Sequence, residues 1–86
     1  MYEIVFTKQA QKDKKLLKQA GLDKRAKALL DVIAENPFKN PPRYEKLVGD
    51  LAGYYSRRIN VQHRLVYQVY EELKTVKVLS MWMHYE

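Results

Sequence analysis

The chain has 86 residues, no cysteine, and 16 Lys and Arg against 10 Asp and Glu, a formal net charge of +6. This length is read as one domain, residues 1–86, with a modest core and no room for a second. The composition excludes a disulfide framework and a thiolate metal site, and no apolar run approaches the ~20 residues that span a bilayer. No metal, no cofactor and no membrane contact are therefore expected, and the expected compartment is the cytoplasm. The charge is unevenly spread. Between Lys39 and Arg64, six basic residues (Lys39, Arg43, Lys46, Arg57, Arg58, Arg64) face only Glu45 and Asp50. A field of this sign attracts nucleic acid, acidic protein or an anionic surface.

Tyr2, Ile4 and Phe6 alternate as in a short first strand, although Val5 makes the other face apolar too. Thr7 is a helix cap, and residues 8–19 contain no Gly or Pro. Their apolar positions are Ala10, Leu16 and Leu17, and Lys8, Lys12, Lys14, Lys15 and Lys18 keep most of that helix wet. Gly21 supplies the left-handed residue that ends it. A second helix is expected from Asp23, taken as its N-cap, with a buried stripe of Ala26, Leu29, Leu30 and Ile33 widened by Val32. Asn36-Pro37 stops it. Residues 37–53 are loop-like, with a short turn or strand within 45–51. The period then changes to two. Strands are expected at 54–59, 63–70 and 75–83, joined by hairpins. The order β-α-α-β-β-β gives an α+β fold, with both helices on one face of a mostly antiparallel sheet.

Strand parity separates Tyr54, Ser56 and Arg58 from Tyr55, Arg57 and Ile59, and marks Leu65, Tyr67 and Val69 as core-facing. In the last strand neither alternate set, Val76-Val78-Ser80-Trp82 or Lys77-Leu79-Met81-Met83, declares itself buried. Arg57 and Arg58 must point to opposite faces. They read either as one phosphate ligand and one structural brace, or as an edge strand whose arginine stem covers apolar surface. Tyrosines at 54, 55, 67, 70 and 85, with Trp82, lie close to basic groups, a mixture suited to stacking RNA bases and equally to filling a core.

The strings Gly53-Tyr54-Tyr55-Ser56-Arg57-Arg58-Ile59 and His63-Arg64-Leu65-Val66-Tyr67, with a closing His84-Tyr85, resemble the YoeB/Txe family of bacterial toxins, within the wider RelE-like group. Asn36-Pro37-Phe38, Tyr44-Glu45-Lys46-Leu47 and Gly49-Asp50-Leu51-Ala52-Gly53 extend the resemblance, which runs from about Pro37 to Tyr85. It implies a RelE-like, microbial-RNase-like α+β fold and cleavage of mRNA in the A site of the 70S ribosome. It also implies a cognate acidic antitoxin and a tendency to dimerise. By position, the family's glutamate matches Glu45, its strand arginine Arg64, and its closing pair His84 and Tyr85. Arg57 and Arg58 match its paired arginines, and Lys46 is a further candidate for the phosphate. Three departures stand out. Relatives continue the glutamate segment as E-P-L-K where this chain has Glu45-Lys46-Leu47-Val48, Trp82 replaces a frequent basic residue, and Glu86 follows Tyr85.

RNA carries its own nucleophile, so the resemblance implies a metal-independent reaction through the 2′-OH. Glu45 would take the 2′ proton, Arg64 would clamp the phosphate with Arg57 or Arg58 assisting, and His84 would protonate the leaving 5′ oxygen. Tyr85 would orient the phosphate or a base. A carboxylate is a weak base for an alcohol, so the ribosome is expected to align the 2′-OH. Two other readings are a basic RNA- or ribosome-binding module without catalysis, and a relative that has lost the poison and acts as a regulatory partner.

Overall fold

The computed structural model describes residues 1–83. Its elements are β1 (Glu3–Phe6), α1 (Lys8–Gln19), α2 (Asp23–Glu35), β2 (Tyr44–Lys46), β3 (Tyr54–Arg58), β4 (Arg64–Tyr70) and β5 (Thr75–Met83), with single 3-10 turns at Gly49–Leu51 and Glu71–Leu73. The five strands form one sheet in the order β1-β5-β4-β3-β2. Only the β1–β5 pair is parallel, and the other pairs are antiparallel. None of the described helices is long and apolar enough to cross a membrane.

Local chemistry sets the helix ends. Thr7 Oγ1 accepts the N–H of Ala10 at 3.0 Å and starts α1. At its other end Gly21 adopts φ +73°, and the N–H groups of Gly21 and Leu22 return to the carbonyls of Lys18 and Leu17. This paired closure satisfies carbonyls that the helix would otherwise leave open. Asp23 is not the N-cap of α2. That position belongs to Leu22, which makes no side-chain cap bond, and Asp23 stands in the first turn, where its charge opposes the helix dipole.

The core lies between the helices and one face of the sheet. Ala10 and Leu17 of α1 and Ala26 and Ile33 of α2 pack with Leu65, Tyr67, Val76, Val78 and Met81. Leu29 and Leu30 are half-buried beside them, while Leu16 faces outward. The ambiguity of β5 has a structural cause. Val76 faces Val69 and Val78 faces Tyr67, but Val66 then faces Ser80 and Arg64 faces Met83. These register shifts are bulges, and they change which alternate residues face the core. Val78 and Met81 are therefore both buried, and neither parity describes the whole strand.

Candidate active site

Glu45 sits on the edge strand β2, opposite Ser56 of β3, which is in turn opposite Val66 of β4. These residues share the sheet face away from the helices, since Tyr67 and Arg57 occupy the other one. Arg64 begins β4 opposite Arg58. Its guanidinium reaches across β3, where Nη1 donates to Glu45 Oε1 at 3.2 Å and to Ser56 Oγ at 3.3 Å. The Arg64 side chain is 15% exposed and that of Glu45 44%. A half-exposed pair of this kind contributes about 1 kcal/mol or less to stability. It is better understood as a positioned charge than as a structural bond.

One organised turn and one ring stack present this pair. Before Arg64, the side-chain oxygen of Asn60 accepts the N–H groups of Gln62 and His63 at 2.9 and 2.7 Å, the self-bonded turn that Asn favours. His63 then stacks on Trp82, with ring centroids 3.8 Å apart and planes 19° off parallel. That contact ties the start of β4 to the end of β5, next to the Arg64–Met83 pairing. Trp82 thus has a packing role where a basic residue was expected. Ser56, His63 and Trp82 support the site and were not singled out as site residues in the sequence. Their signal was weak, because the stacking of His63 on Trp82 and the reach of Arg64 to Ser56 join residues remote in sequence.

The paired arginines divide sharply. Arg57 is 0% exposed and each of its three side-chain nitrogens is engaged. Nε donates to Tyr67 Oη at 3.1 Å, Nη1 to the carbonyl of Pro42 at 2.6 Å, and Nη2 to those of Pro37 and Lys39 at 3.0 and 2.9 Å. A buried guanidinium with every nitrogen spent on protein oxygens is not available to a phosphate, so the expected substrate role of Arg57 is set aside. It braces the loop that leads into β2. Arg58, exposed and on the Glu45–Ser56 face, bonds to none of the described residues. Lys46 is also corrected. It follows Glu45 directly, pairs with Tyr55, and so points to the opposite face from the carboxylate. His84 and Tyr85 lie outside the described residues.

Comparison with known families decides what this arrangement belongs to. Residues 6–85 match the model of the YoeB-like toxins of bacterial type II toxin-antitoxin systems. The chain belongs to that family. A Synechocystis sp. toxin YoeB is 41% identical over 76 residues, which is 88% of this chain and 79% of the relative. Among solved structures, a YoeB/ParE toxin from Agrobacterium tumefaciens superposes with a TM-score of 0.87 at 30% identity, covering 96% of this chain and 99% of that one. YoeB in the heterotetrameric YoeB–YefM toxin-antitoxin complex from Staphylococcus aureus gives 0.82 at 39% identity, covering 99% of each chain. A dimer of YoeB from the same organism has also been solved, again with a TM-score of 0.82, at 39% identity and with 98% of each chain covered.

In this YoeB-like chain a cavity of about 540 Å³ lies elsewhere. It opens between α1, α2 and the sheet, with Ile4, Phe6, Leu17, Leu30 and Met81 in its wall. Its lining is mainly apolar, with Lys14, Lys18 and Lys27 accompanied by Asp23 and Asp31, and a polymer substrate calls for an open face rather than a pocket. The shallow Glu45–Arg64 face is therefore the candidate site despite its lack of depth.

Burial also tunes one group beneath the site. Removal from water raises the Tyr67 phenol above its ordinary value of 10.0, with the charge and hydrogen bond of Arg57 opposing the shift. Below about pH 10 both the folded and unfolded chains keep this proton. As the pH rises further the unfolded chain releases it first, so stability falls until the raised folded value is passed. The urea midpoint of the native chain should therefore drop more between about pH 9 and about pH 11 than that of Tyr67→Phe. Equal drops would mean that Tyr67 carries no part of the alkaline sensitivity.

Proposed function

We propose that this toxin is a ribosome-dependent mRNA endoribonuclease that arrests translation by metal-independent cleavage through the 2′-OH. The observation that carries the reading is the Arg64 guanidinium held against Glu45 on an open sheet face, directly opposite Arg58. Two arginines opposite one another repel, and a bound phosphodiester would relieve that repulsion. In the proposed reaction Glu45 accepts the 2′ proton as the 2′ oxygen attacks phosphorus. Arg64, assisted by Arg58, carries the added negative charge. The bond to the 5′ oxygen breaks, and His84 donates the proton that this oxygen needs. The products are a 2′,3′-cyclic phosphate and a 5′-hydroxyl. His84 follows Met83 in the sequence, and the pairing of Met83 with Arg64 supports the reading of His84 as that acid. Tyr85 orients the phosphate or an adjacent base.

The partners follow from the same surface. An acidic antitoxin segment that folds on binding suits the basic site, in keeping with the YoeB–YefM complex of the S. aureus relative, and a homodimer in keeping with that relative's dimer. The test is a cell-free translation reaction with RNA ends mapped by primer extension. The native chain should generate new 5′ ends within ribosome-bound message, and His84→Gln should generate none. The same message free in solution should be cut far more slowly. Equal rates on free and bound RNA would remove the ribosome from the mechanism. Ribosome binding without any cleavage by the native chain would favour a non-catalytic binding module.

A further inference from the structure

Helix α1 grips the irregular end of β5 on both sides of Ser80. Thr7 Oγ1 donates to the carbonyl of Leu79 at 2.7 Å, and Asp13 Oδ2 accepts the N–H of Met81 at 2.9 Å. Asp13 is 1% exposed, and Gln9 Nε2 donates to its other oxygen at 2.9 Å. The sole acidic side chain of a lysine-rich helix is thus turned inward and spent on a backbone amide. These contacts fall where the β4–β5 register moves. β4 runs from Tyr67 to Arg64 while β5 runs from Val78 to Met83, so β5 carries two more residues over this stretch.

A strand with surplus residues has competing registers, and a slip by one turns every later side chain to the opposite face. Something outside the β4–β5 ladder must select among them. The only side-chain hydrogen bonds that α1 and its cap make to β5, among the described residues, are those of Thr7 and Asp13. We propose that Asp13 and Thr7 are positioning residues, which clamp the Leu79–Met81 bulge and so set the register that brings the end of β5 beside Arg64. The effect on rate rests on the catalytic reading above, whereas the register does not.

The test compares Asp13→Ala with Asp13→Asn, which keeps an acceptor for the Met81 amide. In Asp13→Ala the cross-strand NOE between the Arg64 and Met83 backbones should disappear. Its kcat on ribosome-bound message should fall on the order of 100-fold with KM changed by less than about twofold. Asp13→Asn should recover both. A merely structural role would lower Tm and leave the NOE and kcat in place. Should Asp13→Ala not fold, Thr7→Asp takes its place, because it still caps Ala10 but has no hydrogen to give Leu79; the same two losses are expected. A folded variant of either kind that keeps the NOE and full kcat overturns the proposal. A native chain that cuts no RNA would end the catalytic reading, and the NOE alone would then decide the clamp.

Discussion

Replacing Arg64 by lysine should lower kcat by about two to three orders of magnitude while leaving the fold intact. The substitution keeps the positive charge, so it separates charge from geometry. Only Nη1 of Arg64 is engaged by described residues, on Glu45 and Ser56. Nε and Nη2 bond to none of them, and that edge of the guanidinium is the one left for a phosphate. An arginine can thus hold its position with one corner and meet two phosphate oxygens with the other. A lysine is a point charge on a flexible stem and must choose between anchoring to Glu45 and binding substrate.

The measurement is a single-turnover rate on ribosome-bound message, with thermal unfolding beside it. Because the Glu45–Arg64 pair is partly exposed, Tm should move by only a few degrees, in line with ~1 kcal/mol or less. Full activity in Arg64→Lys would show that charge alone suffices and that the forked geometry is incidental. A large loss of Tm would instead assign Arg64 to the fold. Ser56→Ala offers a milder companion. It removes one of the two acceptors on Nη1 and should lower kcat by roughly the fivefold that a weak orienting hydrogen bond of ~1 kcal/mol represents.

How far the sequence revealed this site depends on how local each cause is. Thr7 acts through a side-chain oxygen on a near neighbour, and Gly21 and Pro37 through their own backbone, so both helix ranges were readable from composition and spacing. The alternation of Leu65, Tyr67 and Val69 also identified the core face of β4 correctly. β5 resisted because its two surplus residues are visible only against β4, and the helix that holds them is remote in sequence. Asp13 carries no local signal in the sequence, since nothing there distinguishes a carboxylate that meets a distant amide. The expected turn or strand within 45–51 proves to be β2 at Tyr44–Lys46 followed by a 3-10 turn at Gly49–Leu51, because three residues in a proline-rich loop carry too little periodicity to set their bounds. Arg57 and Arg58 were separable by face from parity alone. Which of them is buried depended on the loop that folds over Arg57 to supply its acceptors.

Arg57→Met should be the most destabilising of these changes, at on the order of 3 kcal/mol. Among the described residues no carboxylate pairs with this fully buried guanidinium, and four neutral contacts replace its water: Tyr67 Oη and the carbonyls of Pro37, Lys39 and Pro42. The Tyr44 ring adds a favourable face, 5.1 Å from the guanidinium carbon. Methionine fills much of the same volume but leaves the carbonyls of Lys39 and Pro42 without that donor. Pro37 is less affected, because Tyr67 Oη also donates to its carbonyl at 2.8 Å. Hydrogen bonds to a charged group contribute about 1.5–3 kcal/mol each, and the loss of four of them, offset by the desolvation that methionine avoids, sets the scale. For a domain of this size the expected fall in Tm is roughly 12–24 °C. The loop from Pro37 to Arg43 delivers β2 and hence Glu45, so any surviving folded fraction should also cut RNA poorly. A Tm within about 5 °C of the native chain would show that this loop holds itself, and that the buried arginine is retained for some purpose other than bracing it.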